Sequence, residues 1–168
     1  YDTDRSRLAP IYDRLKRNGV RNVQVRAPQE GVLDGLAGRM DRVLIDAPCT
    51  GTGTWRRRPD TKWKLTPELL AQRTAEQAAL LDAAVRFVKP GGTLVYVTCS
   101  ILPQENSDQI VAFRARHPEY EVRDAAALWS AQLAAPLAAV TDAEGGLTLT
   151  PLTTGTHGFY FCALRRKP

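Results

Sequence analysis

Two cysteines and an aspartate carry the chemistry this 168-residue chain can do. Asp46 and Cys49 share the stretch Asp46-Ala47-Pro48-Cys49-Thr50-Gly51-Thr52-Gly53, and Cys99 follows in Tyr96-Val97-Thr98-Cys99-Ser100-Ile101. A thiolate is a good nucleophile when nearby groups lower its pKa. Cytosine and uracil rings accept thiol attack at carbon 6, which makes carbon 5 nucleophilic enough to take a methyl group. That chemistry also needs an acid near N3 and the exocyclic amine, a place Asp46 can fill. The competing reading makes Cys99 a packed strand-end residue and Cys49 a loop thiol, since cysteine is among the most buried residue types. Spacing alone leaves both open. Cys162, inside the apolar run Phe159 to Leu164, reads as core.

The elements around these residues bring the thiols together. Val43 to Ile45 reads as a short buried strand that breaks at Ala47-Pro48, because proline lacks the N–H that a central ladder needs. Thr93 to Thr98 is a second apolar strand, and it delivers Cys99-Ser100 at its end. Between them Thr66-Pro67-Glu68 predicts a helix start, with Thr66 as N-cap and Pro67 at the first helical position. Leu69, Leu70, Leu80, Leu81, Val85 and Val88 form its apolar side, and it is expected to end near Lys89-Pro90-Gly91-Gly92. Two parallel strands joined by one helix are usually sheet neighbours. Open α/β sheets hold their ligands at the carboxyl ends of the strands. Both thiols are therefore expected to face one crevice.

The rest of the chain continues the alternation. Helices are expected over Ser6–Asn18, Leu33–Met40, Gln104–Arg116 and Ala125–Leu133. Short strands are expected at Val23–Val25 and Tyr120–Val122. A late pair, Leu147–Thr150 and Phe159–Leu164, suggests an antiparallel hairpin at one edge. Strands alternating with helices predict an α/β fold with a mostly parallel, doubly wound sheet in a single domain over residues 1–168. Asp2-Thr3-Asp4 reads as the tail of a strand whose beginning is absent, so the sheet is expected to be truncated at its N-terminal side. Such a missing strand leaves an open sheet edge and invites self-association.

A net charge of +5 favours an anionic partner, of which nucleic acid is the commonest. The stretch Trp55-Arg56-Arg57-Arg58-Pro59-Asp60-Thr61-Lys62-Trp63-Lys64 mixes cations with indoles, which suits RNA through phosphate neutralisation and base stacking. Arg57, Arg58 and Lys62 are the candidate RNA contacts. No apolar run is long enough for a membrane-spanning helix, which needs roughly 18 residues or more. The three cysteines have no CxxC pairing and no histidines at ligand spacing, so neither a metal site nor a disulfide framework is expected. An odd count of unpaired cysteines suits a reducing cytoplasm.

The two cysteine motifs in this order resemble the RsmB/Sun family of RNA cytosine-5 methyltransferases. Three further segments extend the likeness. Arg57-Arg58-Pro59-Asp60-Thr61-Lys62-Trp63 resembles the segment after the first motif. Pro103-Gln104-Glu105-Asn106 resembles the Glu-Asn sequence after the second cysteine, and Gly158-Phe159-Tyr160-Phe161 resembles the terminal strand. The resemblance implies a Rossmann-like class I methyltransferase sheet, S-adenosyl-L-methionine as cofactor and RNA, commonly ribosomal RNA, as substrate. It makes Cys99 the thiol that bonds to carbon 6 and Cys49 the group that assists product release. Asp46 then holds the cytosine edge close to the cofactor, with Ala47 and Pro48 beside it, and Asp2 binds the cofactor ribose hydroxyls. Two rival readings are methylation of a base nitrogen, which needs no thiol, and a non-catalytic RNA-binding module. A hydrolase is disfavoured, since no motif links His117 or His157 to either thiol.

Three features depart from the family pattern. The family's first strand and Gly-rich loop have no counterpart here. Arg26-Ala27-Pro28 stands where an acid near the adenine is usual, and His157 stands where the terminal motif usually has Asp. With that part of the pocket absent, the 168-residue chain by itself is expected to bind S-adenosyl-L-methionine weakly or not at all and to lack activity. Isothermal calorimetry on the isolated chain checks this, and micromolar binding would refute it.

Overall fold

Alternate residues of Leu94, Tyr96 and Thr98 point one way and are fully buried, while Thr93, Val95 and Val97 between them are only partly covered. This period of two is what a strand with one packed face requires. The computed structural model describes residues 1–132 and 140–168 and divides into two units, Tyr1–Ala37 and Gly38–Pro168.

The first unit holds helix α1, Arg5–Arg17. Asp4 caps it, its carboxylate accepting the Ser6 N–H at 2.8 Å, and Arg14, Lys16 and Arg17 sit in the last turn, where cations favour the helix dipole. Asp2 is no strand residue: its carboxylate accepts the Asp4 N–H at 2.8 Å in the turn before α1. Val23–Val25 also forms no strand. The Arg26 guanidinium donates to the Val32 carbonyl at 3.0 Å and to the Gln24 side chain at 3.2 Å, and these local bonds replace a ladder. Of the helix expected over Leu33–Met40, only a 3₁₀ turn at Asp34–Leu36 forms. Gly38 follows with φ +66°, and Met40 already belongs to a strand.

The second unit runs β1 (Met40–Asp46), α2 (Asp60–Lys64), α3 (Pro67–Ala84), β2 (Val88–Thr98), α4 (Ser107–Arg116), β3 (Tyr120–Arg123), α5 (Ala125–Gln132), β4 (Val140–Thr141), β5 (Leu147–Leu149), α6 (Pro151–Thr154) and β6 (Phe159–Arg166). Leu133, the expected last residue of α5, lies outside the described residues. Among the described residues six strands make one sheet, ordered β1-β2-β6-β5-β4, with β3 also paired to β6. β1 and β2 are parallel, and the remaining pairs are antiparallel. Strands β1, β2, β3 and β5 therefore share one direction, and β6 and β4 oppose them. The expected hairpin is β5 against β6, but β6 is central rather than at an edge. One side of it pairs with β2; the other is shared end to end by β5 at Phe159–Phe161 and β3 at Ala163–Arg166.

Two strands differ from their sequence reading. β1 is an outer strand with one neighbour, so only Ile45 of its apolar run is buried and Leu44 is 67% exposed. β2 begins at Val88, because α3 stops at Ala84 and a 3₁₀ turn, Val85–Phe87, follows. Val88 pairs with Met40, then Lys89–Gly92 loops out before Thr93 pairs with Arg42, and Gly91 supplies the left-handed φ of +74°. α3 starts as expected, with the Thr66 hydroxyl accepting the Leu69 N–H at 3.2 Å and Pro67 in the first turn. Of its apolar stripe, Leu81 is fully buried while Leu80 stays 39% exposed.

The core lies between the sheet and helices α3 and α4: Leu81, Val88, Leu94, Tyr96, Ile110, Phe113, Tyr160, Cys162 and Leu164 are all inaccessible. Cys162 is the packed residue its apolar run implied, and burial raises its thiol pKa to about 12. Leu94→Ala, at the middle of this core, is expected to cost roughly 2–5 kcal/mol. Urea unfolding checks it; a loss under about 1 kcal/mol would mean that β2 does not centre the core.

Candidate active site

The parallel register places Asp46 beside Val97, so the loops that leave β1 and β2 start level with each other. The Ala47 N–H still reaches the Val97 carbonyl at 3.0 Å, and the chains then separate. Asp46 ends β1 with an exposed carboxylate; Ala47 is buried and Pro48 partly buried. Three residues past Asp46 and one past β2, Cys49 and Cys99 meet with their Sγ atoms 3.1 Å apart. Both are free thiols, partly exposed.

Short polar side chains hold the two loops. Gly51 adopts φ +73°, which opens a 3₁₀ turn at Thr52–Thr54. The buried Thr52 hydroxyl lies 3.0 Å from the Ser100 hydroxyl and accepts the Ile101 N–H at 3.0 Å. The Gly53 N–H donates to the Cys99 carbonyl at 2.9 Å, and the Gly158 N–H donates to the Gly53 carbonyl at 2.8 Å. This brings a third loop, the one entering β6, against the first. A Cβ on Gly53 would lie 2.3 Å from the Gly158 backbone, so only glycine permits the crossing.

The sulfur contact splits the two thiols electrostatically. The Cys49 thiol donating to it pulls the Cys99 pKa down to about 7, against burial and the nearby Asp46 charge, which push it up. Cys49 moves the other way, well above the ordinary thiol range, because its proton is held by the Cys99 sulfur and burial disfavours its charged form. One thiol is thus poised to ionise near neutral pH while its neighbour stays protonated. That is a nucleophile with an adjacent proton carrier.

The basic stretch leaves the same loop. Arg57 and Arg58 are exposed, and Lys62 on α2 has its ammonium 5.7 Å from the Trp55 ring centroid and 5.5 Å from that of Trp63. Trp63 is 81% exposed. His117 is engaged elsewhere, with Asp82 at 2.9 Å and Glu119 at 3.5 Å. Asp2 belongs to the first unit, and the residues that build this site belong to the second.

Residue types and spacing did not reveal the buried polar groups beneath the loops. Glu105, Asn106, Gln77, Thr50 and Thr98 are all buried and bond to one another or to the loop backbone. The one sequence signal was Glu105-Asn106 itself, two polar residues just past the second cysteine.

If the sulfur contact sets the reactivity of Cys99, Cys49→Ala moves the pH midpoint of Cys99 alkylation from about 7 up toward the usual thiol value of about 8.5. Mass spectrometry of iodoacetamide-labelled peptides across pH measures this, and an unchanged midpoint would show that Cys49 does not matter to it.

Comparison with known proteins places this geometry. The family model for the 16S rRNA methyltransferase RsmB/F matches residues 1–165. Ribosomal RNA small subunit methyltransferase B of Klebsiella pneumoniae is 47% identical over 123 residues, covering 72% of this chain and 28% of that protein. The protein of the same name from Citrobacter koseri is 37% identical over 170 residues, covering 99% of this chain and 36% of its own length. NSun6 from Pyrococcus horikoshii, solved with SFG, superposes with a TM-score of 0.79 at 27% identity, covering 99% of this chain and 40% of that one. The chain spans about a third of the length of the curated relatives it matches. Two thiols at adjacent strand ends, in a fold shared with that solved structure, belong to a chain that is a member of the 16S rRNA methyltransferase RsmB/F family.

Proposed function

We propose that this chain is the part of an S-adenosyl-L-methionine-dependent RNA methyltransferase that binds and activates the base, and that the product is 5-methylcytosine in ribosomal RNA. The observation that carries the reading is the 3.1 Å contact between Cys49 and Cys99 at the carboxyl ends of two parallel strands. Methylation of a base nitrogen has no use for such a pair. The names of the relatives support the ribosomal substrate.

Each residue has one task in this reading. The Cys99 thiolate adds to carbon 6 of cytosine, forming an S–C bond and leaving carbon 5 electron-rich. Asp46, exposed at the end of β1, accepts from the exocyclic amine and so holds the cytosine edge in place for the attack. After carbon 5 has gained its methyl group, the Cys99 sulfur is bonded to carbon and no longer holds the Cys49 proton, which passes to solvent. The Cys49 thiolate so formed takes the remaining proton of carbon 5. The electron pair of that C–H bond re-forms the ring double bond as the Cys99 S–C bond breaks. Cys49 stands at the nucleophile's own sulfur, which suits a group acting at the adjacent ring carbon.

The cofactor supplies an electrophilic methyl group on a sulfonium. The residues present fit one side of it: Asp46 offers an exposed carboxylate at the strand end, and Ala47 and Pro48 continue the loop away from it. Asp2, in the first unit, carries a carboxylate of the kind that pairs with ribose hydroxyls. Arg57, Arg58 and Lys62 neutralise RNA phosphates, and the exposed Trp63 ring offers a stacking surface.

The test uses the protein at the length of its curated relatives. Cys99→Ala should abolish methylation and adduct formation with RNA containing 5-azacytosine, and Cys49→Ala should accumulate a covalent enzyme–RNA adduct on denaturing gels. An adduct trapped by Cys99→Ala instead would reverse the two roles.

A further inference from the structure

Glu105 is fully buried, and a buried carboxylate persists only where donors surround it. Thr50 gives its N–H to one carboxylate oxygen at 2.8 Å and its hydroxyl to the other at 2.5 Å. The Gln77 amide, from α3, donates to the first oxygen at 3.0 Å and also to the Pro48 carbonyl at 2.9 Å. Pro48 and Thr50 are the residues on either side of Cys49. Asn106 does the same for the other thiol. Its side-chain carbonyl accepts the Thr98 hydroxyl at 2.7 Å, and its amide donates to the Ser100 carbonyl at 3.0 Å. Thr98 and Ser100 flank Cys99.

The two residues are tied to the sheet as one unit. The Tyr96 hydroxyl, on β2, donates to the Glu105 carbonyl at 2.7 Å, and the Asn106 N–H closes the turn onto the Pro103 carbonyl at 2.9 Å. Each thiol is thus gripped through both of its chain neighbours: Cys49 by Glu105 at Thr50 and by the Glu105-bonded Gln77 at Pro48, and Cys99 by Asn106.

We infer that Glu105 and Asn106 are positioning residues that set the distance between the two sulfurs, Glu105 holding the Cys49 loop and Asn106 the Cys99 loop. The inference rests on the reading of Cys99 and Cys49 as the working thiols. Glu105→Gln keeps the volume of the side chain but turns one carboxylate oxygen into a donor facing donors. Asn106→Asp keeps the acceptor for Thr98 and removes the donor to Ser100. Either change loosens one loop against the other.

The experiment is iodoacetamide labelling of Cys99 in the 168-residue chain at pH 7, which needs neither RNA nor cofactor. Each variant should label about fivefold more slowly than the parent, which is what a rise of roughly one pKa unit from about 7 does to the thiolate fraction at pH 7. In a Cys49→Ala background neither should slow labelling further, because both act through the sulfur contact; a merely structural role would slow both backgrounds alike. Parent-like labelling, or slowing that persists in the Cys49→Ala background, would overturn the inference. Thr50→Val removes the hydroxyl that Glu105 accepts at nearly constant volume, and it carries the same expectation should Glu105→Gln fail to fold. Adduct formation with 5-azacytosine RNA is scored separately. Its absence in the protein at the length of its curated relatives would count against the cytosine chemistry, while labelling of the 168-residue chain still reads the positioning.

Discussion

The parallel pairing of β1 with β2 is the constraint from which the rest of the site follows. It fixes Asp46 beside Val97 and so brings two strand ends to the same level. Parallel strands need a crossover, and α3 supplies it, its N-cap at Thr66 and its buried Leu81 packing it over the sheet. The same helix carries Gln77 beneath the Cys49 loop. A register slip of one residue would turn each strand's buried set to the other face and part the thiols.

The site is built as a reactive surface on a rigid polar floor. The thiols stay partly exposed while the groups beneath them, Glu105, Asn106, Thr98 and Gln77, are buried and bonded. Such a floor is costly where its groups lack partners, as the Gln77 side-chain oxygen does, and the bonds its other groups make leave the loops little freedom. The third loop, crossing at Gly53 and Gly158, closes the arrangement from the β6 side. This explains why β6, last in the chain, lies in the middle of the sheet: its start must stand against the loop that carries Cys49.

Much of this was legible in the residues. The apolar run before Asp46, the proline that ended it and the second run before Cys99 sufficed to place the thiols at strand ends. The Thr66-Pro67 start of α3 and the β5–β6 hairpin were equally plain. Two of the misreadings have complementary physical causes. Val23–Val25 has strand composition, but a strand exists only with a partner, and local bonds from Arg26 hold that segment in a loop. The expected burial of β1 failed for the complementary reason: its outer place in the sheet leaves Leu44 exposed.

By itself the sequence determined the chemistry available: which side chains can attack, which can accept a proton, and at which strand ends they stand. These are local properties of residue type and period. The tertiary structure decided that the two sulfurs touch, that Cys99 rather than Cys49 is the more acidic thiol, and that a buried Glu105-Asn106 turn grips both loops. Thr50 and Glu105 lie 55 residues apart in the chain, and no local rule joins them. Only packing the crossover helix onto the parallel pair closes that distance, and it does so because the apolar faces of sheet and helix must leave water together.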